Sequence, residues 1–495
     1  MEIGPQFIKD FSGGMISDIN PNLAPQSSVN LLLNMDADVE VGSLSSRLGT
    51  ALIGSQTVDG KTILGLVQHV DQADTTKNKL FATVNDSSNT NADIFDVGTG
   101  ISLADDTASL KTRFLNYNGD TLRLNGTDAP KAYNSSSWIT TGGVFDLANM
   151  PTGYKYAVEF LDRVYLWGKT SSPYTLAYSG LLTTGAVSWT AGNGTVEIEP
   201  EDNGGEATGL GKVPGYVLLF KRRSLHRFNY SSTFPESLVQ IGAYSQESII
   251  SAAGLCAFYS DSNENAKGFY VTDGRRPQPI SHDNTRPIKK WVDAISSSAT
   301  VAGWGTERYF AWSVGDLTVD GESYNNVVLK YNRILNQWSV RTYPTQFSVF
   351  VSYVTGGIHT TVGGDDDGQV FRVDKAGTYT DGPSTTAIPF KVRTHHNTWG
   401  FNQKKELMRD VVVRGQNIPD LTTSAILDRD LDNRVAFNSP SDMRSRIRRV
   451  LSVFGVGVPI KGNTIAIEVS GETIGTRSHI EEIEYPSVDV KNSYT

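Results

Sequence analysis

Apolar and polar residues alternate in short stretches along almost the whole chain. Each stretch is rich in β-branched and aromatic residues and is bounded by turn-forming residues, which is the pattern of half-buried β-strands. Clear examples lie at 162–167, 216–220, 267–271, 308–312 and 327–331. These stretches predict strands throughout the chain.

Turn signals separate the predicted strands. Asn-Gly and Asp-Gly dipeptides tolerate the positive φ of tight hairpins, and they occur at residues 59, 118, 125, 203, 273, 320, 367 and 381. Helical spacing of apolar residues is clearest at 286–297, where Pro287 stands near the start. We therefore predict an all-β protein with one short helix.

Similar strand–turn–strand units recur every 40–50 residues or so, which is the spacing of four-stranded propeller blades. Three of these units contain a tryptophan near their end, at Trp138, Trp189 and Trp338. An array of β-sandwiches also fits short strands with regular turns. We favour a β-propeller, with units at 114–140, 156–190, 210–232, 254–281, 304–344 and 348–380.

The units divide the chain into three parts. Residues 1–55 have short apolar pieces between glycines and prolines, and we expect an extended N-terminal arm that orders on a neighbouring subunit. Residues 56–384 would form the propeller, and 385–495 a separate C-terminal β module. Within that module, 417–445 is polar and is expected to be an exposed hairpin or loop.

Composition narrows the function classes. The 44 basic and 53 acidic residues give a net charge of −9, which argues against a surface that grips nucleic acid over its whole area. We expect no membrane insertion, because no apolar run reaches about 18 residues. The N-terminus lacks the features of an export signal. The single cysteine, Cys256, excludes a disulfide framework.

Catalytic motifs are not found in the sequence, and we expect neither enzymatic activity nor a cofactor. The glycine-rich stretch 209–214 ends in proline where a phosphate loop needs glycine. Cys256 lies in an apolar strand and is expected to be a buried, inert thiol. Neighbouring His395 and His396 would point to opposite faces of a strand, so we expect polar surface residues and not a metal site.

Two acidic clusters and two basic stretches remain. Asp428, Asp430 and Asp432 have the D-x-D-x-D spacing of calcium loops but lack the expected glycine and glutamate, so a structural cation there stays open. Residues 365–368 are expected to form a solvated hairpin tip, and 221–223 a charged one. Three arginines would share one strand face and could bind phosphates or an acidic partner, or simply be solvated: Arg444, Arg446 and Arg448.

The N-terminal residues carry a resemblance to a known family. Residues 11–14 read F-S-G-G, and then Asn34, Gly42, Leu44, Arg47 and Gly49 follow a pattern N-x₇-G-x-L-x-x-R-x-G. With further loose matches at 117–130, 162–180 and 268–281, this is similar to the tail nozzle or hub proteins of short-tailed bacteriophages, also called packaged-DNA stabilisation proteins. The matches cover most of residues 7–380.

The resemblance implies a structural protein of the virion tail, assembled in the host cytoplasm. It implies a homo-oligomeric ring, a hexamer, below the portal and adaptor, through which genomic DNA is retained and then ejected. Its partners would be the adaptor and the tail fibre or spike proteins, and the C-terminal module 385–495 would be a platform that contacts the adaptor, the fibres or neighbouring subunits. The expected interface residues are Phe11, Asn34, Arg47 and the three arginines at 444, 446 and 448. The alternative function is a carbohydrate- or receptor-binding, or glycan-cleaving, propeller.

Overall fold

The structure is a computed structural model, and the secondary structure of most of the chain can be described. The described residues are 2–3, 6–20, 23–37, 42–55, 57–58, 60–71, 73–183, 185–230, 234–282, 287–383, 385–399, 405–407, 411–417, 421–437, 449–451, 461–473, 475–485 and 488–490.

Short strands occupy the N-terminal part of the chain. They are β1 (Glu2–Ile3), β2 (Gln6–Ile8), β3 (Gly14–Met15), β4 (Ser28–Val29), β5 (Leu31–Leu33), β6 (Met35–Asp36), β7 (Leu44–Ser46) and β8 (Ala51–Leu52).

The strands that follow are longer, and each antiparallel sheet uses them in chain order. Blade 1 contains β9 (Ile63–His69), β10 (Lys79–Asn85), β11 (Asn91–Asp96) and β12 (Ile101–Thr107); blade 2, β13 (Arg113–Tyr117), β14 (Asp120–Leu124), β15 (Lys131–Tyr133) and β16 (Trp138–Ile139); blade 3, β17 (Tyr156–Phe160), β18 (Arg163–Trp167), β19 (Thr175–Tyr178) and β20 (Gly194–Glu197).

Blade 4 contains β21 (Ala207–Val213), β22 (Tyr216–Lys221), β23 (Leu225–Phe228) and β24 (Glu236–Val239); blade 5, β25 (Ile250–Ala252), β26 (Leu255–Ser260), β27 (Gly268–Thr272) and β28 (Gln278–Pro279); blade 6, β29 (Ala302–Gly305), β30 (Tyr309–Val319), β31 (Glu322–Asn332) and β32 (Gln337–Thr342); blade 7, β33 (Phe347–Thr355), β34 (Ile358–Asp365) and β35 (Val370–Val373).

The blades close into a ring. Each pair of neighbours shares a hydrophobic cluster, and the last pair is no exception: Val362 and Val370 of blade 7 pack with Ile63 and Leu80 of blade 1. The innermost strands contact one another in the same order around the axis. The protein is therefore a β-propeller, and the described residues form seven blades.

The N-terminal segment supplies the strand that closes the ring. Blade 7 has three strands of its own, and β8 adds the fourth, pairing Leu52 with Phe371 and Ala51 with Arg372. The sequence pattern found six of the units and missed blade 1. Its strand β9 is buried at all seven positions, so it shows no alternation of apolar and polar residues.

Of the eleven described C-terminal strands, five continue the sheet of blade 6 and six lie in two further sheets. The eleven are β36 (Thr380–Asp381), β37 (Thr386–Arg393), β38 (Lys405–Leu407), β39 (Val411–Gln416), β40 (Thr422–Leu427), β41 (Arg434–Ala436), β42 (Arg449–Leu451), β43 (Lys461–Gly462), β44 (Ile465–Thr473), β45 (His479–Tyr485) and β46 (Val488–Val490). Strand β5 lies between β32 and β37, and the path runs on through β44, β40 and β41 in a twelve-stranded sheet.

The first 55 residues do not form the extended arm that we expected. Strands β1, β2 and β7 pair with β46 and β45, and β5 pairs with β37. The apolar pieces between the glycines and prolines are buried in the same hydrophobic core as blades 5 and 6. The short pieces looked irregular because most of them pair with strands that are remote in sequence.

Two smaller expectations also change. Helix α1 (Lys289–Asp293) is shorter than the predicted 286–297, and the polar stretch 417–445 contains β40, whose Ala425, Ile426 and Leu427 are buried. Within the described ranges no helix is long and apolar enough to cross a bilayer.

Candidate functional site

Asn34 and Arg47 from the family-like segment meet where the propeller joins the C-terminal strands. Asn34 follows β5 with a left-handed φ of 55°, a conformation that asparagine tolerates well. Its side-chain oxygen accepts a hydrogen bond from Arg47 Nε at 2.9 Å. Its amide nitrogen donates to Thr342 Oγ1 and to the Pro389 carbonyl. Asn34 therefore links Arg47, blade 6 and β37.

Arg47 forms a buried, two-pronged ion pair with Asp381. Its Nη1 lies 2.9 Å from Asp381 Oδ1, and its Nη2 contacts Oδ2. The guanidinium also lies over the ring of Tyr343, 4.2 Å from the centroid. Burial acts to lower the pKa of Arg47, but the Asp381 carboxylate outweighs it, so the pKa lies above its ordinary value. The charge of Arg47 is therefore compensated by a buried carboxylate.

A second buried ion pair joins the N-terminal segment to blade 6. Asp36 accepts from Arg341 Nη2 at 2.5 Å and lies 3.3 Å from Lys330 Nζ. Burial acts to raise the pKa of Asp36, but Arg341 and Lys330 together hold it well below its usual range. Arg341 also contacts Asp374 at 2.7 Å.

These side chains form one unit, which we call the clasp: Asn34, Asp36, Arg47, Arg341 and Asp381. It ties together the N-terminal segment, the outer strand of blade 6 and the residues that lead from blade 7 into the C-terminal strands. Partners so remote in sequence have no local signal, which is why sequence reasoning missed the role of Asp36, Arg341 and Asp381.

Other residues of the family-like pattern are also buried or closely packed. Phe11 and Leu44 are fully buried. A Cβ atom on Gly49 would lie 1.9 Å from the Thr380 carbonyl oxygen, so only glycine allows that approach. The same holds for Gly13, whose Cβ would lie 2.6 Å from the Ser27 backbone. Each of these positions is thus needed for close packing.

The prediction that these residues lie at an interface between subunits needs correction. Phe11, Asn34 and Arg47 are all fully buried within a single chain, so their side chains do not present a surface to another subunit. They form internal contacts between distant parts of the same chain. The other three predicted interface residues, Arg444, Arg446 and Arg448, lie outside the described residues.

The propeller axis holds a different ion pair. Arg113 on β13 and Glu247, in the 3₁₀ turn Gln246–Ser248, lie 2.8 Å apart. They line a cavity of about 200 Å³ that residues of several innermost strands surround. Burial acts to raise the pKa of Glu247, but Arg113 and Lys111 outweigh it and lower the pKa.

This arrangement bears on glycan cleavage, which needs two carboxylic groups about 5–10 Å apart, one of them protonated. Among the described residues that line the axial cavity, Glu247 is the single carboxylate. Its lowered pKa keeps it ionised, so it is poorly suited to donate a proton.

One cluster in the described part of the chain has metal-ligand geometry. Ligand atoms of Glu199, Asp202 and His226 lie within 4.8 Å of one another. However, Lys221 Nζ is fully buried and lies 2.9 Å from Asp202 Oδ1. The ammonium already supplies the positive charge that a metal would bring, so these residues do not fit a metal ion. Lys221 is thus a buried ion-pair partner, in contrast to the charged hairpin tip that we expected.

The calcium-like spacing at 428–432 forms a hairpin turn instead. Asp428 and Arg429 have left-handed backbones between β40 and β41. One carboxylate oxygen of Asp428 accepts the N–H groups of Asn463 and Thr464, the latter at 3.1 Å. The side chains of Asp428, Asp430 and Asp432 do not converge in a common site.

Two histidines and the cysteine complete the predicted residues. Cys256 is fully buried, as expected, and burial raises the pKa of its thiol to about 12. His395 and His396 are not the surface residues that we expected. Burial lowers the pKa of each to about 4, so both are neutral at pH 7.

Comparison with known proteins adds little to this picture. No family model matches the chain, and no curated protein matches it. A solved structure described as "Structure of U3-55K" aligns with a TM-score of 0.41 at 8% identity, and it covers 66% of this chain and 98% of its own. YCF48 from Cyanidioschyzon merolae aligns with a TM-score of 0.36 at 8% identity and the same coverage. The propeller assignment rests on the strand pairing described above.

Proposed function

We propose that this protein is a structural subunit of the tail nozzle of a short-tailed bacteriophage. In this proposal several copies, six by family resemblance, assemble into a ring below the portal and adaptor. The ring retains packaged DNA and conducts it during ejection, and it binds the adaptor and the tail fibres or spikes. The protein would then be located in the virion tail and have no enzymatic role.

The observation that carries this proposal is the clasp. Asn34 and Arg47, two of the residues through which the chain resembles the nozzle family, help to join the N-terminal strands, the propeller and the C-terminal strands. A subunit that retains DNA under pressure has to transmit force without coming apart. Buried ion pairs between remote segments suit that demand, because breaking one leaves an uncompensated charge.

The axial ion pair limits the possible path of DNA through the proposed ring. A cavity of about 200 Å³ crossed by Arg113 and Glu247 is far too narrow for a duplex. The DNA channel of the proposed ring therefore lies between subunits and not along the propeller axis. Surplus negative charge, −9 per chain, would keep DNA from adhering to the channel wall.

The experiment that tests the proposal measures assembly. Light scattering gives the mass of the purified chain in solution, alone and with the adaptor protein, and negative-stain images show its shape. We expect a ring with a central hole in at least one condition. A monomer in both conditions would overturn the proposal.

The alternative, a carbohydrate-binding or glycan-cleaving propeller, has less support. Its cleaving form needs a second carboxylate, and the axial cavity is lined by one. A sugar-release assay with purified protein is the direct comparison: release of reducing ends would favour this alternative.

A further inference from the structure

Two basic residues, Lys111 and Arg113, lie beside the axial cavity. Lys111 belongs to the connection from blade 1 to blade 2, and Arg113 begins β13, the innermost strand of blade 2. Their positions are linked, because Arg113 Nη1 donates a hydrogen bond to the Lys111 carbonyl at 3.1 Å. Thr112, which lies between them in sequence, lines the cavity together with Arg113. Two positively charged residues are therefore fixed next to the propeller axis.

These two residues share one carboxylate, that of Glu247. Arg113 Nη2 lies 2.8 Å from Glu247 Oε1, whereas Lys111 forms no ion pair with any residue that the structure describes. The ammonium nitrogen of Lys111 is buried and has no hydrogen-bond acceptor among the described residues, and the same is true of Arg113 Nε. Because a buried charged donor without an acceptor is costly, the site needs a further acceptor.

The charges around Lys111 leave one positive charge uncompensated. Burial lowers the pKa of Lys111 below its ordinary value, Glu247 acts to raise that pKa, and Arg113 acts to lower it further. The two basic side chains and Glu247 together carry one net positive charge when Lys111 is protonated. Among the described residues that line the cavity, Arg113 and Glu247 are the charged ones. A ligand that balances the site therefore carries one negative charge.

The walls of the cavity limit the size and shape of that ligand. The cavity has a volume of about 200 Å³, which is below the roughly 300–1,000 Å³ of sites for drug-sized molecules. Phe114, Tyr156 and Phe350 line it with aromatic rings, and Leu66 and Ile249 add aliphatic surface. A small carboxylate meets both conditions. Its oxygens accept charge-assisted hydrogen bonds from ammonium and guanidinium groups, and its short carbon chain suits apolar walls.

We propose that the axial cavity is a binding site for a small monovalent carboxylate, of the size of acetate, held by Lys111 and Arg113. The carboxylate oxygens accept from Lys111 Nζ and Arg113 Nε, the two donors that lack an acceptor. Glu247 stays paired with Arg113 Nη2, so the site then carries no net charge. All the residues involved belong to one chain, so the inference does not depend on the proposed ring.

Equilibrium dialysis with radiolabelled acetate tests the site directly. Mixtures of sodium acetate and sodium chloride keep the ionic strength constant, which separates binding from charge screening. We expect saturable binding of one acetate per chain. The melting temperature should rise and saturate over the same concentrations, because a ligand that binds only the folded state stabilises it. An absence of saturable binding, or displacement by chloride as strong as by unlabelled acetate, would indicate an adventitious ion only and overturn the proposal.

Three variants assign the binding to its side chains. Lys111→Met removes the ammonium group and keeps a long side chain, so the affinity for acetate should fall about ten- to a hundredfold, the size expected for a hydrogen bond to a charged group. Lys111→Arg keeps the charge and should retain most of the affinity. The matched control is Lys212→Met. Lys212 forms an exposed ion pair with Glu159, and its loss should leave acetate binding unchanged.

Thermal unfolding separates a binding role of Lys111 from a purely structural one. Without a carboxylate in the buffer, Lys111→Met should melt at least as high as the natural protein, because an unpaired buried charge has been removed. In saturating acetate the natural protein should melt higher, because it binds the ligand and the variant does not. If Lys111→Met lowers the melting temperature equally in both buffers, Lys111 has only a structural role and the proposal is overturned.

These measurements use single subunits, so their outcomes are independent of the proposed function. Acetate binding that depends on Lys111 in a protein that forms no ring would support the axial site and overturn the nozzle. Rings of a protein that binds no acetate would support the nozzle and overturn the axial site.

Discussion

The outer strands of blades 1 and 6 are the longest outer strands of the propeller, and they differ in whether another strand covers their outer edge. Strand β12 of blade 1 has seven residues and β32 of blade 6 has six, whereas the outer strands of the other blades have two to four. The edge of β32 is covered by β3 and β5 and continues into the C-terminal strands. The outer edge of β12 pairs with no described strand.

The two edges also differ in the signs of the charged side chains beside them. At blade 6, Arg341, Lys330 and Arg47 face the carboxylates of Asp36 and Asp381, and all are buried.

At blade 1, two carboxylates face each other, because Asp93 on β11 is paired in register with Asp105 on β12. Partial burial and the neighbouring Asp105 raise the pKa of Asp93 to about 6.

An exposed edge can thus be kept unpaired by the charges beside it. Opposite charges stabilise the covered edge, whereas the like charges of Asp93 and Asp105 weaken the open edge but oppose its pairing with another strand.

Replacing Arg47 with methionine should lower the free energy of unfolding by about 3 to 5 kcal/mol, because Asp381 would keep a buried charge without a partner. Urea denaturation measures the change. A loss below about 1 kcal/mol would show that the clasp does not stabilise the covered edge.

Gly49→Ala should destabilise the protein by about 1 to 3 kcal/mol, because the new Cβ would lie 1.9 Å from the Thr380 carbonyl oxygen. The matched control is Gly98→Ala beside the open edge of blade 1. Its Cβ would meet a side-chain oxygen at 3.4 Å and no backbone. Equal effects of the two substitutions in thermal unfolding would contradict the tight approach at the clasp.

Asp93→Asn should stabilise the protein at pH 7.5 by about 1 kcal/mol, a value reduced for solvent screening of a partly exposed group. The folded pKa of Asp93, about 6, is raised above the ordinary 3.8. The folded state therefore binds the proton more tightly, and stability falls as pH rises from about 4 through 6. Denaturation at pH 7.5 and pH 5 should show the advantage of the variant shrinking at the lower pH.

Lys289→Ala should change stability by no more than about 0.5 kcal/mol. Its ion pair with Asp293 is exposed, so water and salt screen it. The same urea titration used for Arg47 makes the comparison, and an effect near that of Arg47→Met would contradict the role given to burial.

Local patterns explain which parts of the fold could be predicted. Alternation and turn dipeptides gave the all-β class and six of the propeller units, since both depend on residues next to each other in sequence. Blade 1 was not predicted because β9 is buried on both faces and therefore shows no alternation of apolar and polar residues. The N-terminal strands were not predicted because each has only two or three residues, too few to show the two-residue alternation of a β-strand.

The candidate site, too, could be predicted from the sequence only in part. Asn34, Arg47 and Gly49 stood out as a pattern, yet the pattern did not reveal that they face inward. Arg47 and Asp381 are 334 residues apart, so nothing near either one indicates its partner.

The strand-rich class, the repeated units and the positions of most turns follow from the amino-acid sequence alone, because backbone preference and hydrophobic period are properties of neighbouring residues. The number of blades, the closure by β8, the clasp and the faces on which apolar residues are exposed are seen only in the folded structure. Those features depend on which remote segments approach each other, and a buried charge becomes stabilising only when its partner arrives from elsewhere in the chain.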